Sequence, residues 1–333
     1  MPHVEVRSLS MEGSMDTATI SEFFLAGQVS LNYGTSDQSL LRNLSGCAAT
    51  GAMLWTVSDE GRTIERLTRE VDGYTLSDRF ALDQFIEGIP GSSDDELDLE
   101  SLDLDVSSIW LCGAHCKVRR KPEANEILNS EIHARKSRRL LARLTIDQAG
   151  RPVAAQSIPF EGDGSLRAML EADPFFSPFE ELPTKENGID VEGLAVVDGR
   201  VFIGLRGPVI AGFAVVAELA IDNAFKIRSI RPYFLNLQGL GVRELTRDGA
   251  SILITAGPVG EAQGAFALYR WSPEPGSVPR KVYSWGTSIE KPEGLCWCDV
   301  GGERGLLVLY DSPGDARLLN GVYSADLLKR LQG

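Results

Sequence analysis

The sequence predicts an all-β protein, a β-propeller with five blades or, as the alternative, six. A short motif recurs five times: a polar residue, an apolar residue or proline, then Glu, Gln or Ser, a small residue and an apolar residue. Most copies are separated by roughly 40 to 55 residues, which is the length of one four-stranded propeller blade. The copies are Asn43–Cys47, Asp98–Leu102, Asp190–Leu194, Asn236–Leu240 and Lys291–Leu295.

A second strand is predicted after each copy, because a short apolar, often β-branched run follows and ends at a turn. Two further strands complete a blade most clearly at Phe213–Ile221 with Ala224–Ile230, and at Arg139–Ile146 with Val153–Phe160. The predicted second strands are Met53–Val57, Ile109–Cys112, Val201–Leu205, Ile252–Thr255 and Leu306–Tyr310.

The last blade has only two clear strands after its motif, Leu306–Tyr310 and Val322–Leu327. We expect the strand-like segment Ile20–Leu31, which precedes the first copy, to complete it. Such closure across the termini leaves no open sheet edge. Residues 1–17 are expected to form a flexible tail before a single propeller domain over residues 18–333.

The interval of 92 residues between the second and third motifs predicts two insertions in that blade, at 117–137 and 162–185. Glu123–Arg135 has helix-forming composition, and a second helix is predicted at Ser165–Ala172. A sixth, degenerate blade hidden here is the alternative architecture. Lys117–Arg143 is rich in cations and follows an acidic run, so the two runs either pair with each other or form a loop that binds an anion or a protein partner.

The composition indicates a globular chain of 333 residues, with 43% hydrophobic residues and a net charge of −14. This charge argues against nonspecific nucleic-acid binding, and no apolar run is long enough to span a membrane. Without a signal-peptide pattern, we expect a cytoplasmic protein of bacterial type. Five cysteines do not indicate a disulfide framework, and Cys296 and Cys298 are interpreted as small core residues.

Strand topology predicts a site at one mouth of the central channel. In an antiparallel pair, the start of the first strand and the end of the second lie on the same face. Arg206 is predicted to clamp an anionic group, and His115 to act as general acid or base. Because Arg206 is expected in a turn, Arg206→Ala should change stability by no more than about 1 kcal/mol.

Converging carboxylates repel one another, and a hard divalent cation relieves the repulsion. Ca²⁺ is therefore the predicted cofactor. Gln238 is expected beside these carboxylates. The predicted metal ligands are Asp59, Glu100, Glu192, Glu293 and Asp311.

The stretch from Lys185 to Pro208, which contains Asp190-Val-Glu-Gly-Leu194 and Leu205-Arg-Gly-Pro208, resembles the bacterial family known as domain of unknown function 3616. The residues Leu111-Cys-Gly-Ala-His115 also fit, although Ala114 replaces a serine expected there. The Glu-Gly-Leu repeats are more distantly similar to phytase-like, esterase-like and calcium-dependent lactonase propellers, which are hydrolases. Arg206 departs from those enzymes, in which an acidic residue is more frequent.

Together these features predict a metal-assisted hydrolase of a small anionic substrate, phosphorylated or ester-containing, at the channel mouth. The alternative is a non-catalytic propeller that binds a ligand or a protein partner across the same face, with the insertions as recognition loops. Neither a membrane nor a specific nucleic acid is expected as a partner.

Overall fold

The computed structural model describes residues 21–35, 38–287 and 290–331, which fold mainly into β-strands. The predicted tail, residues 1–17, lies outside the described residues. The strands are β1 (Phe23–Asn32), β2 (Leu44–Thr50), β3 (Met53–Ser58), β4 (Thr63–Arg69), β5 (Gly73–Ala81), β6 (Leu99–Asp105), β7 (Ser108–Gly113), β8 (Lys117–Arg119), β9 (Ile132–Ala134), β10 (Leu141–Ile146), β11 (Pro152–Ser157), β12 (Asp190–Val197), β13 (Arg200–Ile210), β14 (Phe213–Ile221), β15 (Ile227–Leu235), β16 (Gly241–Asp248), β17 (Ser251–Gly257), β18 (Ala265–Trp271), β19 (Arg280–Thr287), β20 (Lys291–Val300), β21 (Glu303–Asp311), β22 (Leu318–Leu319) and β23 (Val322–Arg330).

The described helices are short. The α-helices are α1 (Gln38–Arg42) and α2 (Leu166–Ala172). Ser165 caps α2, because its hydroxyl accepts a hydrogen bond from the Ala168 amide. Single 3-10 turns lie at Leu82–Gln84, Lys136–Arg138, Ser177–Phe179, Thr184–Glu186 and Asp315–Arg317. Within the described ranges, no helix is long and apolar enough to cross a membrane.

The strands form antiparallel groups of four arranged around a central channel. The groups run β2-β3-β4-β5, β6-β7-β10-β11, β12-β13-β14-β15, β16-β17-β18-β19 and β20-β21-β23-β1. Their first strands contact one another in a closed cycle, in the order β2, β6, β12, β16, β20 and back to β2. This arrangement confirms the predicted β-propeller.

The N-terminal strand closes the ring as the sequence predicted. β1 pairs antiparallel with β23, from Phe23 opposite Arg330 to Asn32 opposite Val322, and β23 pairs with β21. The last group is therefore built from both ends of the chain. β1 also pairs in parallel with β5 over Ser30–Asn32, which joins the last group to the first.

Residues 117–185, all of which are described, contain no additional four-stranded sheet. They hold the β8–β9 hairpin, the outer strands β10 and β11 of the second group, and α2. The predicted helix at Ser165–Ala172 is confirmed. The helical interpretation of Glu123–Arg135 was wrong, because this stretch is irregular and ends in β9.

A β-bulge stands at or next to the third motif position of every inner strand. The pairing of β6 with β7 shifts between Leu99 and Ser101, so Glu100 is displaced from the regular register. The pairing of β12 with β13 shifts in the same way between Val191 and Gly193, which displaces Glu192. Ser45 is displaced in the same way in β2, and the shift in β20 falls within Pro292–Leu295. A bulge re-aims its side chain, which explains why polar residues recur here at the mouth of the channel.

The small residue that follows the bulge allows the inner strands to pack closely. A Cβ atom at Gly193 would lie 2.8 Å from the Leu245 side chain and 3.0 Å from its backbone nitrogen. A Cβ atom at Gly294 would lie 3.3 Å from the Gly46 Cα. The recurring small residue is therefore required by contact between neighbouring inner strands.

The predicted fourth motif, Asn236–Leu240, was placed five residues too early. These residues form the turn before β16, and the ladder shift falls between Val242 and Glu244, at Arg243. The fourth copy is thus Gly241–Leu245, and Arg243 stands where the other inner strands carry Ser45, Glu100, Glu192 and Glu293.

Candidate functional site

The upper mouth, defined as the channel end where the inner strands begin, holds a cluster of acidic and basic side chains. The acids come from the bulges, from residues just before the inner strands and from the ends of second strands. The cations come from the third, fourth and fifth groups. We call these residues the charged cluster: Asp59, Asp98, Glu100, Asp190, Glu192, Glu293, Asp311, Arg206, Arg243 and Lys291.

Ion pairs connect the strands across the upper mouth. Arg206 contacts Asp190 Oδ2 and Glu192 Oε1, both at 2.6 Å. Arg243 Nε lies 3.0 Å from Glu192 Oε2, and a second nitrogen of Arg243 contacts Glu293. The side chains of Asp190, Glu192 and Arg243 are at most 4% exposed, so this network is buried.

Lys291 Nζ binds Asp311 Oδ2 at 2.7 Å, at the rim of the same mouth. Arg138 from the insertion binds Asp98 Oδ2 at 2.8 Å. Five of the seven carboxylates of the charged cluster therefore contact a cation, and Arg206 and Arg243 each contact two of them.

Glu100 is an exception. No hydrogen bond or ion pair joins its carboxyl group to any described residue, although it is half-buried at the centre of the acids. Burial raises its pKa well above the usual value, and Glu192, Asp98, Asp190 and Asp59 raise it further. The surroundings of Glu100 therefore favour its protonated form, beside Glu192, which two arginines contact.

Asp59 is the second acid without a cation. Burial raises its pKa to about 8, and the charges of Asp98 and Asp311 add to the effect. Its buried Oδ1 atom has no hydrogen-bond partner among the described residues, and the same holds for Asp190 Oδ1 and Arg206 Nε. Buried polar atoms without partners are uncommon in folded proteins, so their grouping here points to a ligand or ordered water.

The charged cluster does not suit the predicted Ca²⁺ ion. Glu192, Glu293 and Asp311 already contact cations, and Arg206 and Arg243 occupy the space between the carboxylates. Among the described residues, no three Asp, Glu, His or Cys side chains are disposed to hold a metal ion together. Calcium stays a prediction of the sequence that this arrangement of side chains does not favour.

A small pocket opens beside the arginines, with a volume of about 70 Å³. Four cations line it together with Phe266 and the loop of residues 258–264 between β17 and β18. Glu261 in this loop contacts Lys185, and each of the other three cations also contacts a carboxylate of the charged cluster. The volume suits one phosphate or carboxylate group. The lining cations are Lys185, Arg206, Arg243 and Lys291.

The structure brings together the five predicted metal ligands and Arg206, but it does not bring His115 to them. His115 is 1% exposed, its Nε2 atom hydrogen-bonds the Leu140 carbonyl at 3.1 Å, and its charged neighbours are Arg167 and Arg139. Burial lowers its pKa to about 3, so the ring is neutral. A histidine in this environment does not exchange protons near neutral pH, and its predicted catalytic role has no geometric support.

Gln238 also lies elsewhere, because the fourth motif was misplaced. It is exposed and hydrogen-bonds Tyr269 and Lys281 on the outside of the fourth group. Arg243, which takes its place in the charged cluster, was missed because it breaks the Glu/Gln/Ser pattern. Arg243 could have been identified from the nearly constant interval between motif copies, since positions 192, 243 and 293 are 51 and 50 residues apart.

The channel also holds a larger cavity that sequence reasoning missed. This lower cavity, of about 480 Å³, lies where the inner strands end, and Cys47, Asp103, Arg247, Cys296 and Asp299 are among its lining residues. Between the two openings, the Ser101 hydroxyl donates to Glu244 Oε1 at 2.6 Å, across the ring from the second group to the fourth.

The basic insertion Lys117–Arg143 is largely neutralised by acidic residues around it. Arg138 contacts Glu96 as well as Asp98, Lys117 contacts Glu181, and Lys136 contacts Glu161, at 2.6–2.9 Å. The contacts of Arg138 with Glu96 and Asp98 agree with the interpretation that the basic and acidic runs pair, whereas Glu161 and Glu181 lie outside the acidic run. A protein partner for this insertion stays a prediction.

Solved structures similar to this chain share little of its sequence. An exo-1,5-alpha-L-arabinanase from a bovine ruminal metagenomic library is 9% identical, with a TM-score of 0.43 over 90% of this chain and 96% of that one. An aldose sugar dehydrogenase from Streptomyces coelicolor is 12% identical, with a TM-score of 0.42 over 92% and 98% of the two chains. A streptogramin B lyase is 10% identical, with a TM-score of 0.38 over 92% and 98%. At this similarity none of them indicates an activity for this chain.

No curated protein matches the sequence significantly. A family model described as "Protein of unknown function (DUF3616)" matches residues 43–324, which include all five inner strands and the whole charged cluster. The match confirms the resemblance stated from Lys185–Pro208. The chain therefore belongs to the DUF3616 family.

Proposed function

We propose that this protein hydrolyses a small anionic ester, either a phosphoric ester or a carboxylic ester that bears a charged group, at the upper mouth. The observation that carries the proposal is Glu100: a carboxyl group of raised pKa with no partner among the described residues, beside ion-paired Glu192 and within the field of Arg206 and Arg243. Burial raises the pKa values of both acids, but the two arginines oppose this rise at Glu192 and not at Glu100. Two neighbouring acids in different surroundings are the arrangement that acid catalysis needs.

The cations of the small pocket would hold the anionic group of the substrate. The planar guanidinium group of arginine can donate two parallel hydrogen bonds to a carboxylate or a phosphate group, and the buried position of Arg243 strengthens such contacts. When water attacks the ester and the bond to the leaving oxygen breaks, Glu100 would donate its proton to that oxygen, and the proton released by the attacking water would restore the acid. No metal is needed for this step, because the guanidinium groups stabilise the developing negative charge.

The test compares wild-type protein with Glu100→Gln on p-nitrophenyl phosphate and on a p-nitrophenyl ester that carries a free carboxylate. We expect kcat to fall by at least about 100-fold, the usual contribution of a general acid. We expect the melting temperature to stay nearly equal, since glutamine is a neutral group of the same shape as the protonated acid and Glu100 makes no hydrogen bond or ion pair with any described residue. Glu218→Gln is the control, because Glu218 is ion-paired with Arg200 away from the channel.

Anion binding is measured separately. Inorganic phosphate at about 10 mM should raise the melting temperature of the wild-type protein, and Lys291→Met should reduce that rise. Turnover by Glu100→Gln at the wild-type rate would refute the role of Glu100. Phosphate binding without hydrolysis of any ester would support the alternative, a propeller that binds an anionic ligand without catalysis.

A further inference from the structure

The lower cavity brings together three of the five cysteines of the chain. Cys47 lies on β2, and Cys296 and Cys298 lie on β20. All five cysteines are free thiols. β2 and β20 are neighbouring inner strands at the seam where the first and last groups of the ring meet. The close approach of Gly294 to Gly46 shows how near the two backbones pass just before these cysteines.

Cys47 and Cys296 face each other across this seam. Both belong to the apolar cluster that fills the space between the first and last groups. A hydrogen bond between the two thiols, together with burial, raises the pKa of Cys296 well above its usual value. Burial also raises the pKa of Cys47, but the same hydrogen bond lowers it. Cys47 is therefore the more acidic thiol of the pair.

The remaining cysteines are placed differently. Cys112 donates a hydrogen bond to the Gly113 carbonyl, and Cys116 donates to Asp98. Neither of them lines the lower cavity. Cys298 lies two residues beyond Cys296 and contacts Tyr74. Among the described residues, only the thiols of Cys47 and Cys296 are joined by a hydrogen bond between two different inner strands.

We propose that Cys47 and Cys296 form a reversible disulfide when a peroxide enters the lower cavity. This disulfide would link β2 to β20, where the first and last groups of the ring meet. The Cys47 thiolate attacks the peroxide, the O–O bond breaks, and a sulfenic acid and water form. The Cys296 thiol then attacks this sulfur, the S–S bond forms, and the S–O bond breaks to release a second water. The two thiols lose two electrons and two protons, which reduce hydrogen peroxide to two water molecules.

The disulfide has a physical consequence at this seam. β2 and β20 are the two end strands of one continuous sheet, which runs from β2 through β5 and β1 to β20, and they contact each other without a shared ladder of hydrogen bonds. A bond between them closes a loop that contains most of the chain, and long loops are where a disulfide restricts the unfolded chain most. Oxidation should therefore stabilise the ring against opening.

The experiment treats the full-length protein with hydrogen peroxide at pH 7 and pH 9. We expect the thiol count under denaturing conditions to fall from five to three, and peptide mapping to find the Cys47–Cys296 bridge. The reaction should be faster at pH 9, because a raised thiol pKa leaves little thiolate at pH 7. The melting temperature should rise by about 5 °C and return to its starting value with dithiothreitol.

Variants distinguish this pair from other thiols. Cys112→Ser should keep the rise in melting temperature, whereas Cys296→Ser should lose it and leave Cys47 as a sulfenic acid that dimedone traps. Persistence of five thiols, a bridge that includes Cys298, or the same rise in Cys296→Ser would overturn the proposal. Peptide mapping of the wild-type protein decides the matter even if a variant fails to fold. None of these outcomes depends on the proposed hydrolysis.

Discussion

Replacing Arg206 by alanine should destabilise the folded protein by about 3–5 kcal/mol at pH 7, the range for removing one partner of a buried ion pair. The Arg206 side chain is 14% exposed, and its partners Asp190 and Glu192 are 1% and 3% exposed. Alanine would leave both carboxylates buried, with only Arg243 to compensate Glu192. The sequence placed Arg206 in an exposed turn and predicted a cost within about 1 kcal/mol, which the position of Arg206 inside β13 contradicts.

The cost should depend on pH. Burial raises the pKa of Glu192 to about 7, and loss of Arg206 raises it further. A carboxyl group whose pKa is higher in the folded state than in the unfolded state becomes more destabilising as pH rises between the two values. The difference between variant and wild type should therefore be smaller at pH 5, where Glu192 is largely protonated, than at pH 8.

Urea unfolding followed by tryptophan fluorescence measures this difference at both pH values. Arg228→Ala is the matched control, because it removes an arginine from an ion pair with Asp222 in which Arg228 is 64% exposed. The control should lose no more than about 1 kcal/mol. A loss below about 1 kcal/mol for Arg206→Ala, or a loss that does not change between pH 5 and pH 8, would refute this account of the network.

Further predictions concern the acids, the motif glycine and the metal. Asp59→Asn should be more stable than wild type at pH 8 but not at pH 4, since the raised pKa of Asp59 makes wild-type stability fall between these values; equal unfolding midpoints at pH 8 would contradict it. Gly193→Ala should cost about 1–3 kcal/mol in urea unfolding, because its Cβ would collide with Leu245, whereas Gly61→Ala meets only ordinary contacts and should cost less. About 5 mM CaCl₂ should leave the melting temperature unchanged, and a rise would restore the calcium site predicted from the sequence.

The motif could be recognised from the sequence because two local requirements recur in each inner strand. The bulge turns one polar side chain toward the mouth, and the contact with the next inner strand demands a small residue, as at Gly193 and Gly294. Both requirements act within a few residues, so they leave a pattern that can be read without the fold. The fourth copy escaped recognition because Arg243 and Glu244 satisfy the same geometry with large side chains, and Glu244 instead reaches Ser101 across the ring.

Strand order also predicted correctly that Glu100, Glu192 and Arg206 would meet at one mouth, since antiparallel pairing alone decides which strand ends share a face. The same reasoning failed for His115. That residue has a positive φ of 53° and turns its ring toward Leu140, a direction that depends on the backbone of a single turn. Its position after a second strand did not reveal where its side chain points.

What the sequence by itself determined is the repeat: five inner strands, the closing strand at the N-terminus, and the acidic residues at one end of the channel. These features follow from local spacing and from strand direction. Only the tertiary structure decided which acids are paired with arginines, and that Cys47 meets Cys296 in the lower cavity. It also decided that Glu100 and Asp59 form no ion pair with any described residue. These outcomes depend on distances between residues far apart in the chain. A change of a few ångströms in such a distance decides whether a buried charge has a counter-ion and whether a thiol contacts another thiol.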